Sequence, residues 1–395
     1  MSLGNEISLG WVDFSNDASV SVFFKNKKSV ESRDPLNISG ITKYYAEEFF
    51  PGIVTQITRA KYYVAVPYAL LELEEMVKAY PEKYPSVNEI KSSLEDIEKR
   101  QRDALCKNSK KGESFPGNLN KGGSFNIPSD DYWASLQKFG IRKVDCNKNI
   151  YLRNLKETTK TPEERWDIIP LYNLYKQSGI KAGKESIDLL KIDLTKEERT
   201  YLSSKFKAKD SNSPFAKILE IAETSEEVKN YIISKFNANG KTNAFRSFKE
   251  IYTERFEVDK YTEDFNVALS FSNFMYVLNI IYKLKILENK SKAEKLWNDI
   301  DMTGLITIAE NLDVDKLPLK KDNMTNIFLT DAKRIMLEKG STKESIQTEL
   351  DELVSGYIRK DIKHNISKDD EWKGQVKPDF YSGTAAKILL DLIGG

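Results

Sequence analysis

The chain has 395 residues, 40% hydrophobic and 31% charged, which is the composition of a folded protein long enough for two or three domains. One histidine, His364, and two cysteines, Cys106 and Cys146, exclude a Cys/His zinc site. They leave Ser-His or Cys-His catalysis a single imidazole, flanked by Arg359, Lys360 and Lys363. The 61 Lys+Arg against 60 Asp+Glu exclude a globally basic protein but leave room for segregated patches.

The start, Met1 to Glu6, has no basic region followed by an apolar run, and the two cysteines lie forty residues apart. A reducing, cytoplasmic location is expected, with the cysteines as free thiols. Ile7 to Phe14 alternates as a strand. Within it, Gly10-Trp11-Val12-Asp13-Phe14-Ser15 sets one acid among large apolar residues, where desolvation raises its pKa unless a cation or amide compensates. Asp13 therefore calls for a partner. The segment Pro51 to Tyr63 offers two, Arg59 and Lys61, with Thr58 as the cap of a helix that also carries Tyr62 and Tyr63. The apolar run Val64 to Leu73 anchors that helix in the core. Two readings stand: an ion pair docking the first strand on the first long helix, or a functional site.

Further helix starts are expected where a hydroxyl residue precedes Glu by three: Ser86/Glu89, Thr161/Glu164, Thr195/Glu198, Thr224/Glu227 and Ser341/Glu344. Lys107 to Asn126 is rich in Gly, Pro, Ser and Asn and marks a loop or boundary. From Lys99 to Gly123 seven cations, Lys110 and Lys111 among them, face only Asp103 and Glu113, a local excess of +5. This stretch is either a solvated loop or a phosphate-gripping one. Next, Ser129 is expected to cap a helix bearing Tyr132, Trp133, Leu136 and Phe139 that stops at Gly140. A hairpin over Ile141 to Leu155 follows, turning at Asn147-Lys148-Asn149. Helix then hairpin resembles the end of a winged helix, with Arg142, Lys143, Lys148 and Arg153 available to phosphates; an ordinary α/β connection with core aromatics reads equally well. Val267 to Leu284 is the most apolar stretch. Its Ser270, Ser272, Asn273 and Asn279 suit a buried helix better than a membrane span, so no membrane role is expected.

The expected architecture is mainly α with minor β: an N-terminal helical domain over 1–106 carrying the candidate site, a basic loop over 107–128, a winged-helix-like segment over 129–160, and a C-terminal helical domain over 161–395.

Four motifs, Gly10 to Ser15, Thr58-Arg59-Ala60-Lys61-Tyr62-Tyr63, Tyr132-Trp133-x-x-Leu136-x-x-Phe139-Gly140-Ile141 and Leu194-Thr195-x-x-Glu198, occur in that order. In these the chain resembles, nearly end to end, a bacterial family built on a domain of unknown function. Members of that family lie in antiphage-defence gene neighbourhoods beside helicases and DNA-modification genes. The resemblance extends through Ile358 to Lys363 and Asp379 to Leu392. It departs where the family has an Arg-richer helix around Arg359 and an aromatic-Arg-Trp cluster in place of Phe380-Tyr381-Ser382. The resemblance implies action on phage DNA, alone or with helicase or modification-system proteins, and DNA glycosylase chemistry on a modified base.

Glycosidic cleavage needs neither metal nor histidine nor another cofactor. A carboxylate beside C1′ stabilises the cationic sugar and orients water, a role open to Asp13. An aromatic pocket for the extruded base is available in Trp11, Tyr62 and Tyr63, with Arg59 and Lys61 to hold the backbone. The alternative is a non-catalytic helical DNA-binding or adaptor subunit. A two-metal nuclease would draw on Asp130-Asp131, Asp299-x-Asp301 or Asp369-Asp370-Glu371, none with a signature spacing. A phosphate-binding Gly-x-x-x-x-Gly-Lys-Ser/Thr loop is absent from the sequence.

Overall fold

The computed structural model describes residues 7–8, 11–12, 38–108, 127–239, 243–287, 289–319, 324–357 and 377–394. Of these residues 74% are helical, in seventeen α-helices. In chain order, α1 spans Ile38–Phe49, α2 Tyr62–Ala79, α3 Val87–Lys107, α4 Pro128–Lys138, α5 Lys148–Arg153 and α6 Pro162–Arg165. There follow α7 at Ile169–Ala182, α8 at Lys196–Lys209, α9 at Pro214–Ala222, α10 at Glu226–Asn239 and α11 at Ala244–Arg255. The last six are α12 at Lys260–Ile286, α13 at Ser291–Asn298, α14 at Met302–Asn311, α15 at Met324–Leu337, α16 at Lys343–Tyr357 and α17 at Ser382–Ile393. Beyond a two-residue antiparallel pairing of Ile7–Ser8 with Trp11–Val12, and one bridge between Arg142 and Trp166, no β structure occurs among the described residues.

The helices group into two compact units, each built from separate stretches of chain. One comprises Met1–Phe49 and Thr242–Phe380, the other Phe50–Lys241 and Tyr381–Gly395.

In the first unit α12 is the central element, packed by α11, α13, α14 and α16, with α15 against α14 and α16. Lys260–Lys285 is long and apolar enough to cross a membrane by length and composition alone. Of its most apolar window 67% is buried within the protein, which is the pattern of a core helix. Aromatic rings fill the space beside it: Phe49 stacks on Phe265 at 4.2 Å, and Phe380 lies against Phe245 at 4.7 Å and Tyr45 at 5.7 Å.

In the second unit α2 packs against α3 and α4, while α8, α9 and α10 pack around α17. Every residue from Lys61 to Leu71 is buried, so the first half of α2 is enclosed on every side, while Glu75 and Lys78 near its end are exposed. Three helix starts carry the expected reciprocal caps, at Ser86/Glu89, Thr161/Glu164 and Thr195/Glu198. Two starts fall one residue later than expected. Val228 donates to Ser225 and Ser345 to Thr342, so the adjacent hydroxyl takes each cap from Thr224 and Ser341.

The expected hairpin over Ile141 to Leu155 is not formed. Asn147 accepts the Ile150 amide through its side chain and caps α5, so the Asn-Lys-Asn turn is a helix start and the winged-helix reading loses its wing. Ser129 and Thr58 do not cap either. Helix α4 begins at Pro128 with Ile127 at its cap, and α2 begins four residues after Thr58. Gly140 stops α4 as expected, with φ +64°.

Candidate functional site

The candidate residues of the second unit gather around the start of α2. The loop before it is held from two sides. The Tyr132 hydroxyl accepts the Thr58 and Arg59 amides, both at 3.1 Å, and donates to the Arg59 carbonyl at 2.9 Å. From α17, Asp391 accepts the Ala60 amide at 2.8 Å and Arg59 Nε at 3.0 Å. Burial raises the Asp391 carboxyl above its ordinary range, while Arg59 and the Ala60 amide pull the other way. Lys61 is buried, with Nζ 2.7 Å from both oxygens of Glu198, the glutamate that also closes the Thr195 cap. Arg59 and Lys61, expected opposite Asp13, thus take Asp391 and Glu198 as partners. Asp13 lies outside the described residues, as do Lys110 and Lys111, and Trp11 is described only as the strand partner of Ser8.

Tyr62 and Tyr63 do not form an open pocket. They are 2% and 0% exposed, because both sit on the fully enclosed first turn of α2. The Tyr63 ring meets Tyr132, Phe139 and Phe206 edge-on at 5.2–5.4 Å, and its hydroxyl lies 2.6 Å from Ser135 Oγ. Burial drives both phenols far above their ordinary titration range. These rings are core packing.

The four cations assigned to the wing separate by burial. Arg142 is 2% exposed, its guanidinium 4.2 Å from the Trp133 ring. It donates to the carbonyls of Trp133, Val144 and Cys146 and to Gln137 Oε1 at 2.8 Å, so it organises the turn after α4. Lys148 donates to Ser129 Oγ at 3.1 Å and pairs with Asp130. Lys143 is exposed and reaches the Glu163 carbonyl at 3.0 Å. Arg153 is exposed with no hydrogen bond or ion pair among the described residues, and Lys156 and Lys160 are exposed beyond it.

Sequence reasoning missed the most elaborate polar centre of this unit. Glu74, buried on α2, accepts Arg165 Nε at 3.2 Å and Trp166 Nε1 at 3.0 Å, and also takes Arg165 Nη2 and the Tyr151 hydroxyl. A cleft of about 160 Å³ opens beside it, between Leu71 of α2, Pro162 of α6, and Ile169 and Tyr172 of α7. Ligand pockets begin at roughly 300 Å³, and the Glu74 carboxylate is already held by three residues, so the arrangement suits a structural clamp better than a reacting centre. In sequence Glu74 stands in the acidic stretch Glu72-Leu73-Glu74-Glu75 at the end of an apolar run, and nothing there marks it as the buried one of the three. Its partners lie 77 to 92 residues away and carry no mark of the pairing.

Among the described residues no group of three or more His, Cys, Asp and Glu side chains is arranged to hold a metal ion. Comparison with known proteins finds no matching family model, no significantly similar curated protein and no significantly similar solved structure.

Proposed function

We propose that this chain is a non-catalytic helical DNA-binding subunit of an antiphage-defence system, working on phage DNA beside a helicase or modification-system partner. The observation that carries the reading is the sorting of its cations. Arg59, Lys61 and Arg142 are committed to internal partners, whereas Arg153, Lys156 and Lys160 stand exposed within eight residues, alongside an exposed Lys143 that also bonds the Glu163 carbonyl and lies 3.7 Å from Asp167. Exposed side chains of this kind suit sequence-independent phosphate contact, which releases counterions. The strongly basic stretch from Lys99 to Gly123 precedes α4 in sequence.

The glycosylase reading asks for an aromatic chamber to receive an extruded base. With Tyr62 and Tyr63 inside the core, that chamber loses two of its three expected walls, so the non-catalytic reading is preferred. The resemblance in sequence supports DNA as the partner.

The experiment is a fluorescence anisotropy titration of duplex DNA over a range of salt concentrations. The expected result is an association constant that falls linearly with salt on logarithmic axes, with a smaller slope for the Lys143→Ala/Arg153→Ala protein. Absence of binding, or binding indifferent to salt, rejects the proposal.

A further inference from the structure

Among the described residues three acids of the second unit are buried, Glu74, Glu98 and Glu198, and two of them have a cation in direct contact: Glu74 with Arg165 and Glu198 with Lys61; the part-buried Asp391 likewise has Arg59. Glu98 is the exception. It is 1% exposed on α3, and its bonded partners are the two neutral donors of Ser129 at the start of α4. The Ser129 amide reaches Oε1 at 2.7 Å, and the Ser129 hydroxyl lies 3.1 Å from Oε2. Ser129 itself is 0% exposed, so water has no path to the carboxyl through it.

We infer that Glu98 is a proton-binding site, and that the joint it makes between α3 and the start of α4 is held by a neutral carboxyl and loosens when the proton leaves. An isolated carboxylate in a dry interior is far costlier than its acid form, so a buried acid without a contacting cation takes up a proton instead. The surrounding charges do not reverse this. From α5, Lys148 reaches only as far as Ser129 Oγ, at 3.1 Å, and is already paired with Asp130 of α4. Asp130 repels a charge on Glu98, and the Tyr62 phenol, facing it from α2, is neutral across the physiological range. Asp131, next along α4, is itself pushed up to about 6 by burial and by Asp130.

Burial likewise pushes Glu98 up to about 8, against the opposing pull of Lys148 and the Ser129 bonds. The folded protein thus holds this proton over a range in which the unfolded chain, titrating as an ordinary carboxylate, has released it. Stability from this site is therefore fully present only below the ordinary carboxylate range, declines as pH rises through neutrality, and is gone above about 8. The acid form keeps the joint intact. Oε1 still accepts the Ser129 amide, and the Glu98 hydroxyl can turn its proton towards Ser129 Oγ.

The test is a carboxyl titration by ¹³C NMR of the full chain labelled at glutamate Cδ. The expected result is one glutamate resonance titrating on the alkaline side of neutrality that disappears in Glu98→Gln. Lys148→Met, which removes the second-layer cation, shifts its midpoint to higher pH. The melting temperature of the wild type falls between pH 6.5 and 9 more steeply than that of Glu98→Gln. Two results overturn the inference: no glutamate titrating above pH 6 in the wild type, or an alkaline midpoint that Lys148→Met leaves in place. Neither depends on Glu98→Gln folding.

Discussion

Asp391 and Arg59, 332 residues apart, are joined by two hydrogen bonds from one nitrogen: Arg59 Nε lies 3.0 Å from Oδ2 and 3.1 Å from Oδ1. The same carboxylate accepts the Ala60 amide. This contact locks the entry to α2 against α17, the last helix of the same unit. Arg59→Ala leaves a largely buried carboxylate without its cation, a loss of roughly 3 kcal/mol. The expected outcome is a clear drop in the urea midpoint with unchanged DNA affinity. A stable variant with weakened, salt-sensitive DNA binding assigns Arg59 to phosphate instead.

The Glu74 clamp makes a second prediction. Glu74→Ala strands the Arg165 guanidinium and the Trp166 and Tyr151 donors together, at about 3–5 kcal/mol. Arg165→Met alone strands the carboxylate and is similarly damaging. The double variant costs less than the two summed, because each partner's main penalty is the other left unpaired. Additive losses in chemical denaturation contradict a coupled pair.

A third prediction concerns Gly52. Its φ is +85°, and a methyl group there meets the Phe139 ring at 2.9 Å. Its carbonyl also accepts the Ser135 hydroxyl at 2.8 Å, so the backbone has little freedom to turn away. Gly52→Ala is expected to cost about 2 kcal/mol through left-handed strain and crowding. An unchanged melting temperature would mean that the loop relaxes.

Arg153 offers the complementary case. The side chain is exposed and unbonded among the described residues, so Arg153→Ala leaves the melting temperature unchanged. If it contacts phosphate, the salt slope of DNA binding falls by about one in the same variant. Equal slopes for wild type and variant remove Arg153 from the interface.

What the sequence disclosed was local. A hydroxyl and a glutamate three residues apart located the starts of α3, α6 and α8, because both halves of that bond lie within one turn. Where two hydroxyl residues adjoin, as at Thr224-Ser225 and Ser341-Thr342, the spacing rule could not choose between them, and the second one caps. The apolar run at Val267 to Leu284 was legible as a buried helix through its polar interruptions. Asn147 suits a turn and a helix cap equally, and because its side chain takes the Ile150 amide a helix stands where the sequence also allows a hairpin. The candidate site was less legible still. Lys61 with Glu198 and Arg59 with Asp391 are 137 and 332 residues apart, and a lone sequence gives no sign of such pairs. Aromatic residues near cations looked like a binding surface, but Tyr62 and Tyr63 are the core and their cations are its internal counter-charges.

The measurement that bears most directly on the proposed function is the release of bases from phage DNA carrying modified nucleotides. Purified full-length protein is incubated with that DNA, without ATP or added metal, and abasic sites are then counted. A DNA-binding subunit without catalysis leaves the count at background while still binding the DNA in a salt-dependent way. Abasic sites that accumulate with the wild type, and vanish in an Asp13→Asn protein that still binds, would contradict the account and establish the glycosylase.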